Sequence, residues 1–554
     1  MLKRNLPSLA NQRFDVLVIG AGITGAWIAL DCAQRGMTVA LVDQGDFGAK
    51  TSAKSSKLLH GGIRYLQQLQ FGKVRESAME RAILHRVAPH LSYFMPFLVP
   101  TYKSLRKSKL FMQCGMKLYD LLCMGAPYRQ SDGAKQIPDS FTLSREKVRD
   151  SISVNTDELT GGIVFYESHM ESSERMTLAV VQSAAACGAE IANYVKATRL
   201  CEKNNRVSGI EVEDMESNDN FTIEASIVVN AAGPWVSELN NTVAGAGSTS
   251  QDLTTGFCQG SHIVTRQLVK DYAVAFPTQF QGQNIVDRGG RHIFVLPWRG
   301  YSLIGTSYAA ATNLADPRIT AEEIKQLTHA VNRAMPQADL NENDILHAFT
   351  GIYPLHENEI RTQVYQGTGE YLLVDHEHAE NRAGLVTALG AKYTTARRVA
   401  EKATNIVAQK LNKADKPGET ATRPLFGAEI TDLNGFIKDK KKQFENRLTG
   451  NQIVRLLKQY GTEIDNVIDD DNLSPVSDER SNLQVEILHA VINEMAIHLD
   501  DVVMRRTGIG TIGIPSNDYL RSSANVMAAE LDWSASRVDD EVARVERQRF
   551  RIHE

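Results

Sequence analysis

The start of the chain constrains the fold most. Phe14-Asp15-Val16-Leu17-Val18-Ile19 is almost wholly apolar and runs straight into Gly20-Ala21-Gly22-Ile23-Thr24-Gly25. A short apolar run of this kind reads as a buried parallel strand, and the residues from Ala26 to Ala33 read as a helix packed on it. In the turn between them, Gly20 permits the tight bend. Gly22 lets a pyrophosphate approach the backbone, and Gly25 lets helix and strand close together. The unpaired N–H groups of the helix N-terminus and its dipole favour a negative charge there. A second strand, Thr38-Val39-Ala40-Leu41-Val42, ends in Asp43, eighteen residues beyond Gly25, about where an acid meets a ribose 2′-hydroxyl. A carboxylate at that place repels a 2′-phosphate, so a dinucleotide without one is expected.

A chain of 554 residues is too long for one core and implies two or three domains. Its hydrophobic share of 42% supports a globular protein, and a net charge of −5 argues against nucleic acid as a partner. Six cysteines form no CxxC pair, which fits reduced thiols in a cytoplasmic protein rather than disulfides or zinc. His, Cys, Asp and Glu show no metal-ligand spacing, so no metal is expected, and no GxSxG nucleophile elbow occurs. The N-terminus lacks a signal-peptide pattern, and no apolar run reaches the roughly 18 residues of a membrane span. The segment 110–124 is apolar and methionine-rich, broken by Lys117 and Asp120, and follows Lys103, Arg106, Lys107 and Lys109. It suits either a core helix with a basic flank or a helix lying on an anionic bilayer.

Up to about residue 405 strand-like and helix-like patterns alternate, as in an α/β architecture. The small polar run Thr51-Ser52-Ala53-Lys54-Ser55-Ser56-Lys57 leads into Leu58-Leu59-His60-Gly61-Gly62-Ile63-Arg64-Tyr65-Leu66. Further turns of small residues follow at Ala231-Ala232-Gly233-Pro234 and at Gly390-Ala391-Lys392-Tyr393. Three separate segments converging on one extended ligand fit FAD better than NAD on a single nucleotide-binding unit. From about Thr420 the pattern is helical, with Asp500-Asp501-Val502-Val503-Met504-Arg505-Arg506-Thr507 within it.

The glycine fingerprint with Asp43, the run TSAKSSKLLHGGIRYL, the NAAGPWV turn, GSHIV at 260–264, FVLPW at 294–298, IGT at 304–306 and GAKYTT at 390–395 occur in a recognisable order. In this the chain resembles the FAD-dependent glycerol-3-phosphate dehydrogenases of the aerobic, respiratory type, within the D-amino-acid-oxidase-like flavoproteins, over nearly its whole length. The resemblance implies an α/β fold: a Rossmann-like FAD-binding domain with an inserted mixed-sheet substrate domain (1–405), then a C-terminal helical domain (420–554). It places Gly20, Gly22, Gly25, Asp43, Thr51, Ser52, Ser56, Lys57, His60, Val195, Ala232, Gly233, Gly390 and Lys392 along FAD, and Arg64 and Tyr65 in the substrate pocket. Arg64, Tyr65, His60 and Lys392 are the catalytic candidates, with His262 a further candidate base. The implied reaction is oxidation of sn-glycerol 3-phosphate to dihydroxyacetone phosphate, with hydride passing to the flavin and electrons to quinone. Peripheral membrane contact, on the inner face of the cytoplasmic membrane, and a homodimer are left open.

Three departures bear on substrate. The family's Gly-Val-Arg-Pro-Leu is here Gly351-Ile352-Tyr353-Pro354-Leu355, a second family arginine falls at or near Asp375, and the Thr-Asp after Gly305-Thr306 becomes Ser307-Tyr308. Phosphate is bound best by guanidinium forks, so losing two weakens the case for a phosphorylated substrate. Arg64, Lys392, Arg397, Arg291 and Arg361 remain as anion anchors. A non-phosphorylated alcohol is the alternative, or an amine whose ammonium pairs with Asp375. A flavin-binding scaffold with a decayed pocket and a nicotinamide dehydrogenase are more distant readings.

Overall fold

The computed structural model describes residues 1–67, 69–103, 109–123, 137–242, 253, 256–277, 292–311, 313–355, 371–390, 392–468 and 473–550. The apolar start forms the strand Arg13–Ile19, which pairs in parallel with Val39–Val42 on one side and Asn220–Asn230 on the other. Leu385–Leu389 continues the parallel order beyond Asn220–Asn230, Glu190–Ala192 lies beyond Val39–Val42, and Leu372–Asp375 closes one edge antiparallel. Both faces are covered along Val16–Ile19, which is why that part of the strand is apolar throughout. Val16 and Val18 pack with the helices Ile23–Gln34, Ser173–Ala186 and Ala396–Lys410. Leu17 and Ile19 point the other way, into a core shared with the antiparallel hairpin Val195–Lys203 and Arg206–Asp214.

A second, ten-stranded sheet is inserted between the parallel strands. It is mixed: Ala273–Pro277 runs parallel to Ser92–Tyr102, while its other pairings are antiparallel. Its long pair Gly256–Thr265 and Ile345–Leu355 carries Tyr353 and His262. One face packs on the helix Ala321–Ala334, started by a reciprocal cap of Thr320 and Glu323. The other face packs on Phe71–Val87 and on Lys109–Cys123, whose Met116 and Tyr119 are buried. The basic flank Arg106 and Lys107 lies outside the described residues. Among the described residues no helix is long and apolar enough to cross a membrane.

The C-terminal part is helical, as its pattern predicts. Leu433–Phe444, Gly450–Tyr460, Gln484–Glu494, Asn517–Leu531 and Ala535–Glu546 are α-helices, and Asp501–Arg506 is a turn of π-helix. A small hairpin, Pro475–Ser477 with Arg480–Leu483, adds strands where only helix was expected.

Candidate active site

At the end of strand Arg13–Ile19 the chain turns at Gly20, and Gly22 caps the helix Ile23–Gln34 with no side-chain hydrogen bond. The helix N-terminus is therefore dressed from elsewhere: Ile23 N–H donates to Ser52 Oγ at 2.9 Å. A Cβ on Gly25 would lie 1.9 Å from the Gly20 carbonyl oxygen, so helix and strand meet only because that atom is absent. Asp43 accepts from Ala21 N–H on Oδ2 at 2.7 Å and from Gly45 N–H on Oδ1 at 2.9 Å. Burial pushes its carboxyl up to about 6. Each oxygen keeps a lone pair for a ribose hydroxyl.

A cavity of about 500 Å³ opens on this turn. Its wall gathers the three small-residue turns (Gly20–Thr24, Ala231–Trp235, and Gly390 with Lys392), the Val195–Thr198 strand start and the Thr51–Ser55 loop. The loop is pinned to the second sheet, since Thr51 Oγ1 donates to the Ile352 carbonyl at 2.8 Å. The residues fit an extended dinucleotide. On Gly22 a Cβ would meet only Ser52 Oγ, at 3.3 Å, so its absence leaves a cradle beside the helix N-terminus.

Of the residues assigned from sequence, Gly20, Gly22, Asp43, Thr51, Ser52, Val195, Ala232, Gly233, Gly390 and Lys392 share this wall. Gly25 lies beneath it. Lys57 does not reach it: its Nζ donates to Glu174 Oε1 at 2.6 Å, Ala53 O at 2.6 Å and Ser173 Oγ at 3.0 Å, all buried. Neighbouring Ser56 is likewise outside the wall. His60 stands behind the last turn, its N–H donating to Thr394 Oγ1 at 3.1 Å and its ring 5.8 Å from Phe294. Tyr65 is buried under Lys392, whose Nζ sits 4.0 Å from the ring centroid. The backbone of Arg64 belongs to the helix Ile63–Gln67, but its side chain is outside the described residues, as are Arg291 and Arg361.

Two expected anion or cation partners are engaged elsewhere. Arg397 is buried against Glu80, with Nη2 to Oε1 at 2.6 Å and Nε to Oε2 at 2.8 Å. Asp375 caps the helix His376–Glu380 and pairs with Lys410 at 2.9 Å and with His378 at 2.7 Å. It is no part of the cavity wall, which removes the motive for an amine substrate.

The wall also holds Lys54, which was not singled out from sequence, together with Tyr308, Tyr353 and His262, which were. Lys54, one of seven small or basic residues in its run, lines the cavity, and burial pushes its ammonium down to about 8. No sequence signal separates it from Lys57; only packing does. Tyr308 and Tyr353 stand edge to face across the wall, ring centroids 6.3 Å apart at 87°. Next to them His262 shares a hydrogen bond between Nε2 and Thr306 Oγ1 at 3.0 Å and stacks on Phe349. Burial pushes its imidazole down to about 3, so it is neutral at working pH.

Residues 15–397 match the family of FAD dependent oxidoreductases, and residues 418–538 match the C-terminal domain of alpha-glycerophosphate oxidase. The aerobic glycerol-3-phosphate dehydrogenase of Staphylococcus aureus (strain bovine RF122 / ET3-1) is 32% identical over 562 residues, covering 98% of this chain and 95% of that one. The solved glycerol-3-phosphate dehydrogenase of Bacillus halodurans, complexed with FAD, superposes with a TM-score of 0.74. It is 25% identical, over 98% of this chain and 95% of that chain. L-alpha-glycerophosphate oxidase of Mycoplasma pneumoniae, with FAD bound, shares the fold at a TM-score of 0.51. It is 17% identical, over 72% of this chain and 95% of that one.

Proposed function

This chain belongs to the FAD dependent oxidoreductases that carry the C-terminal domain of alpha-glycerophosphate oxidase, and from that premise we propose that it oxidises sn-glycerol 3-phosphate to dihydroxyacetone phosphate. The observation that carries the reading is the convergence of three small-residue turns on one cavity, in a chain alike over nearly its full length to a glycerol-3-phosphate dehydrogenase. Bound flavin supplies the hydride acceptor, and the protein supplies orientation, charge and exclusion of water. The Gly22 cradle and the N-terminus of the helix Ile23–Gln34 hold the pyrophosphate, and Asp43 takes the ribose hydroxyls. Lys392, steadied on the Tyr65 ring, and Lys54 put positive charge into the cleft, where an anionic substrate or a reduced ring gains most from it. His262, held neutral beside Thr306, lines the same wall as a hydrogen-bonding group and not as a base, since an imidazole pushed down to about 3 takes up no proton at working pH.

Quinone is the proposed electron acceptor, reached from a membrane surface. Leu69, Phe71, Met79, Leu118 and Leu121 are exposed large apolar side chains on the adjacent helices Phe71–Val87 and Lys109–Cys123 and the turn before them. Such a cluster suits peripheral contact with lipid.

One observation favours a second reading. The Tyr308–Tyr353 pair stands in the wall where the family resemblance expects a substrate-binding arginine, which suits a non-phosphorylated alcohol. Anaerobic addition of sn-glycerol 3-phosphate to the purified protein decides between them. Bleaching of the oxidised flavin band at sub-millimolar concentration (roughly the KM range of metabolic enzymes) supports the first reading. A yellow protein that bleaches only with non-phosphorylated alcohols supports the second.

A further inference from the structure

A second cavity, of about 380 Å³, lies between the substrate sheet and the C-terminal domain and shares no wall residue with the cofactor cleft. Five cationic side chains line it: Arg175, Arg299, Arg455, Lys458 and Arg480. The carboxylates in its wall are Glu171 and Glu479, and Glu486 and Glu494 stand behind two of the arginines.

These charges are not equally matched. Arg175 is fully engaged, both Glu494 oxygens lying 2.7 and 2.8 Å from its Nη1. Arg455 holds Glu486 with both terminal nitrogens at 2.7 Å, but its buried Nε has no acceptor among the described residues. Lys458 reaches Glu171 at 3.2 Å. Arg480 approaches Glu479 only to 3.7 Å, because that carboxylate already accepts from the Ser516 hydroxyl and N–H; its buried Nε also lacks an acceptor. Arg299 pairs with no described carboxylate. It stands at the tip of the hairpin His292–Trp298 and Tyr301–Gly305, and its Nη1 donates to the Gly508 carbonyl at 2.5 Å and to Thr511 Oγ1 at 3.2 Å. Its buried Nε is without an acceptor too. Asn482, 2% exposed, has the converse lack: its Oδ1 finds no donor among the described residues.

Five cationic side chains share this wall with two carboxylates, and Arg299 pairs with no described carboxylate, so the space carries an excess of positive charge. An occupant that offsets this charge must be a multivalent anion small enough for the space, and arginine forks match the oxygens of phosphate. We propose that this cavity is a second, non-catalytic binding site for a small phosphate-type oxyanion, filled either by a phosphate monoester or by free phosphate. Its occupant clamps the substrate sheet to the C-terminal domain through Arg299 and Arg480.

Isothermal titration of the FAD-loaded protein with inorganic phosphate and, separately, with β-glycerophosphate tests this. One site beyond the cleft is expected, weakened at least tenfold in Arg480→Gln, which breaks no backbone contact, and in Arg299→Met. The same site should survive in Lys392→Met, whose lesion lies in the cleft. Tighter binding of the monoester identifies an esterified occupant, and equal binding identifies free phosphate. Binding unchanged in Arg480→Gln at native flavin content, or lost in Lys392→Met, overturns the proposal. Because the readout is binding and not turnover, it stands or falls separately from the glycerol-phosphate reaction.

Discussion

Gly25 is the residue at which the cofactor cleft tolerates least change. The methyl of an alanine there would sit 1.9 Å from the Gly20 carbonyl oxygen, and that oxygen is backbone in the tight turn and has no flexible chain end to yield. Either the helix Ile23–Gln34 lifts off the sheet or the turn opens, and each displaces the Gly22 cradle. Gly25→Ala is therefore expected to fold but to purify with under a tenth of the wild-type flavin content, read from the visible spectrum. Retention of full flavin would mean that the helix N-terminus does not carry the pyrophosphate. The sequence made this glycine's role legible because strand, turn and helix are contiguous. Lys57, Arg397 and Asp375 were opaque for the opposite reason: their partners Glu174, Glu80 and Lys410 lie 117, 317 and 35 positions away, and no local pattern announces them.

At the scale of elements, periodicity located the sheets well but not their breaks. Within residues 189–198 the chain makes two strands, Glu190–Ala192 and Val195–Lys203, divided where Tyr194 takes a left-handed φ of 54°. The helix Lys109–Cys123 buries Met116 and Tyr119, as the core-helix expectation has it, and exposes Leu118 and Leu121. The strand Ile345–Leu355 matters most for substrate, because pairing with Gly256–Thr265 sets Tyr353 opposite Cys258, and Tyr353 and His262 line the same cavity. An arginine side chain at this register position would return a guanidinium to the wall. Tyr353→Arg should lower KM for sn-glycerol 3-phosphate on the order of tenfold, the worth of one charge-assisted hydrogen bond, with flavin content unchanged. A rise in KM, measured by steady-state dye reduction, would show that the wall at Tyr353 does not meet the phosphate.

The whole molecule is held together by charges that the two parts exchange. Asp46, three residues beyond Asp43, is fully buried and bridges Arg505 and Arg506 of the C-terminal part, with Arg506 Nη1 and Nη2 at 2.6 and 2.8 Å. The two guanidinium groups hold its carboxyl well below the usual range. Asp46→Ala takes the bridging carboxylate from buried Arg506 while Arg505 keeps Asp500 and Asp501, a loss of about 3–5 kcal/mol, and should lower the midpoint of flavin release in urea; an unchanged midpoint would sink this account of the junction. A second tie responds to pH. His498 lies between Glu216 of the nucleotide-binding part and Glu541, each 2.8 Å from a ring nitrogen, with Asp501 adding to their pull and Arg537 and Arg544 opposing it. Burial works against the imidazolium, but the carboxylates prevail and its pKa rises from 6.5 to about 9. A folded pKa above the unfolded one means that the stabilisation is complete below pH 6.5 and is lost as pH climbs to about 9, a change on the order of 3 kcal/mol. Thermal melts across that interval should show the wild type losing stability more steeply than His498→Gln, which cannot titrate. Parallel curves for the two proteins would place the pH sensitivity of the junction elsewhere than at His498.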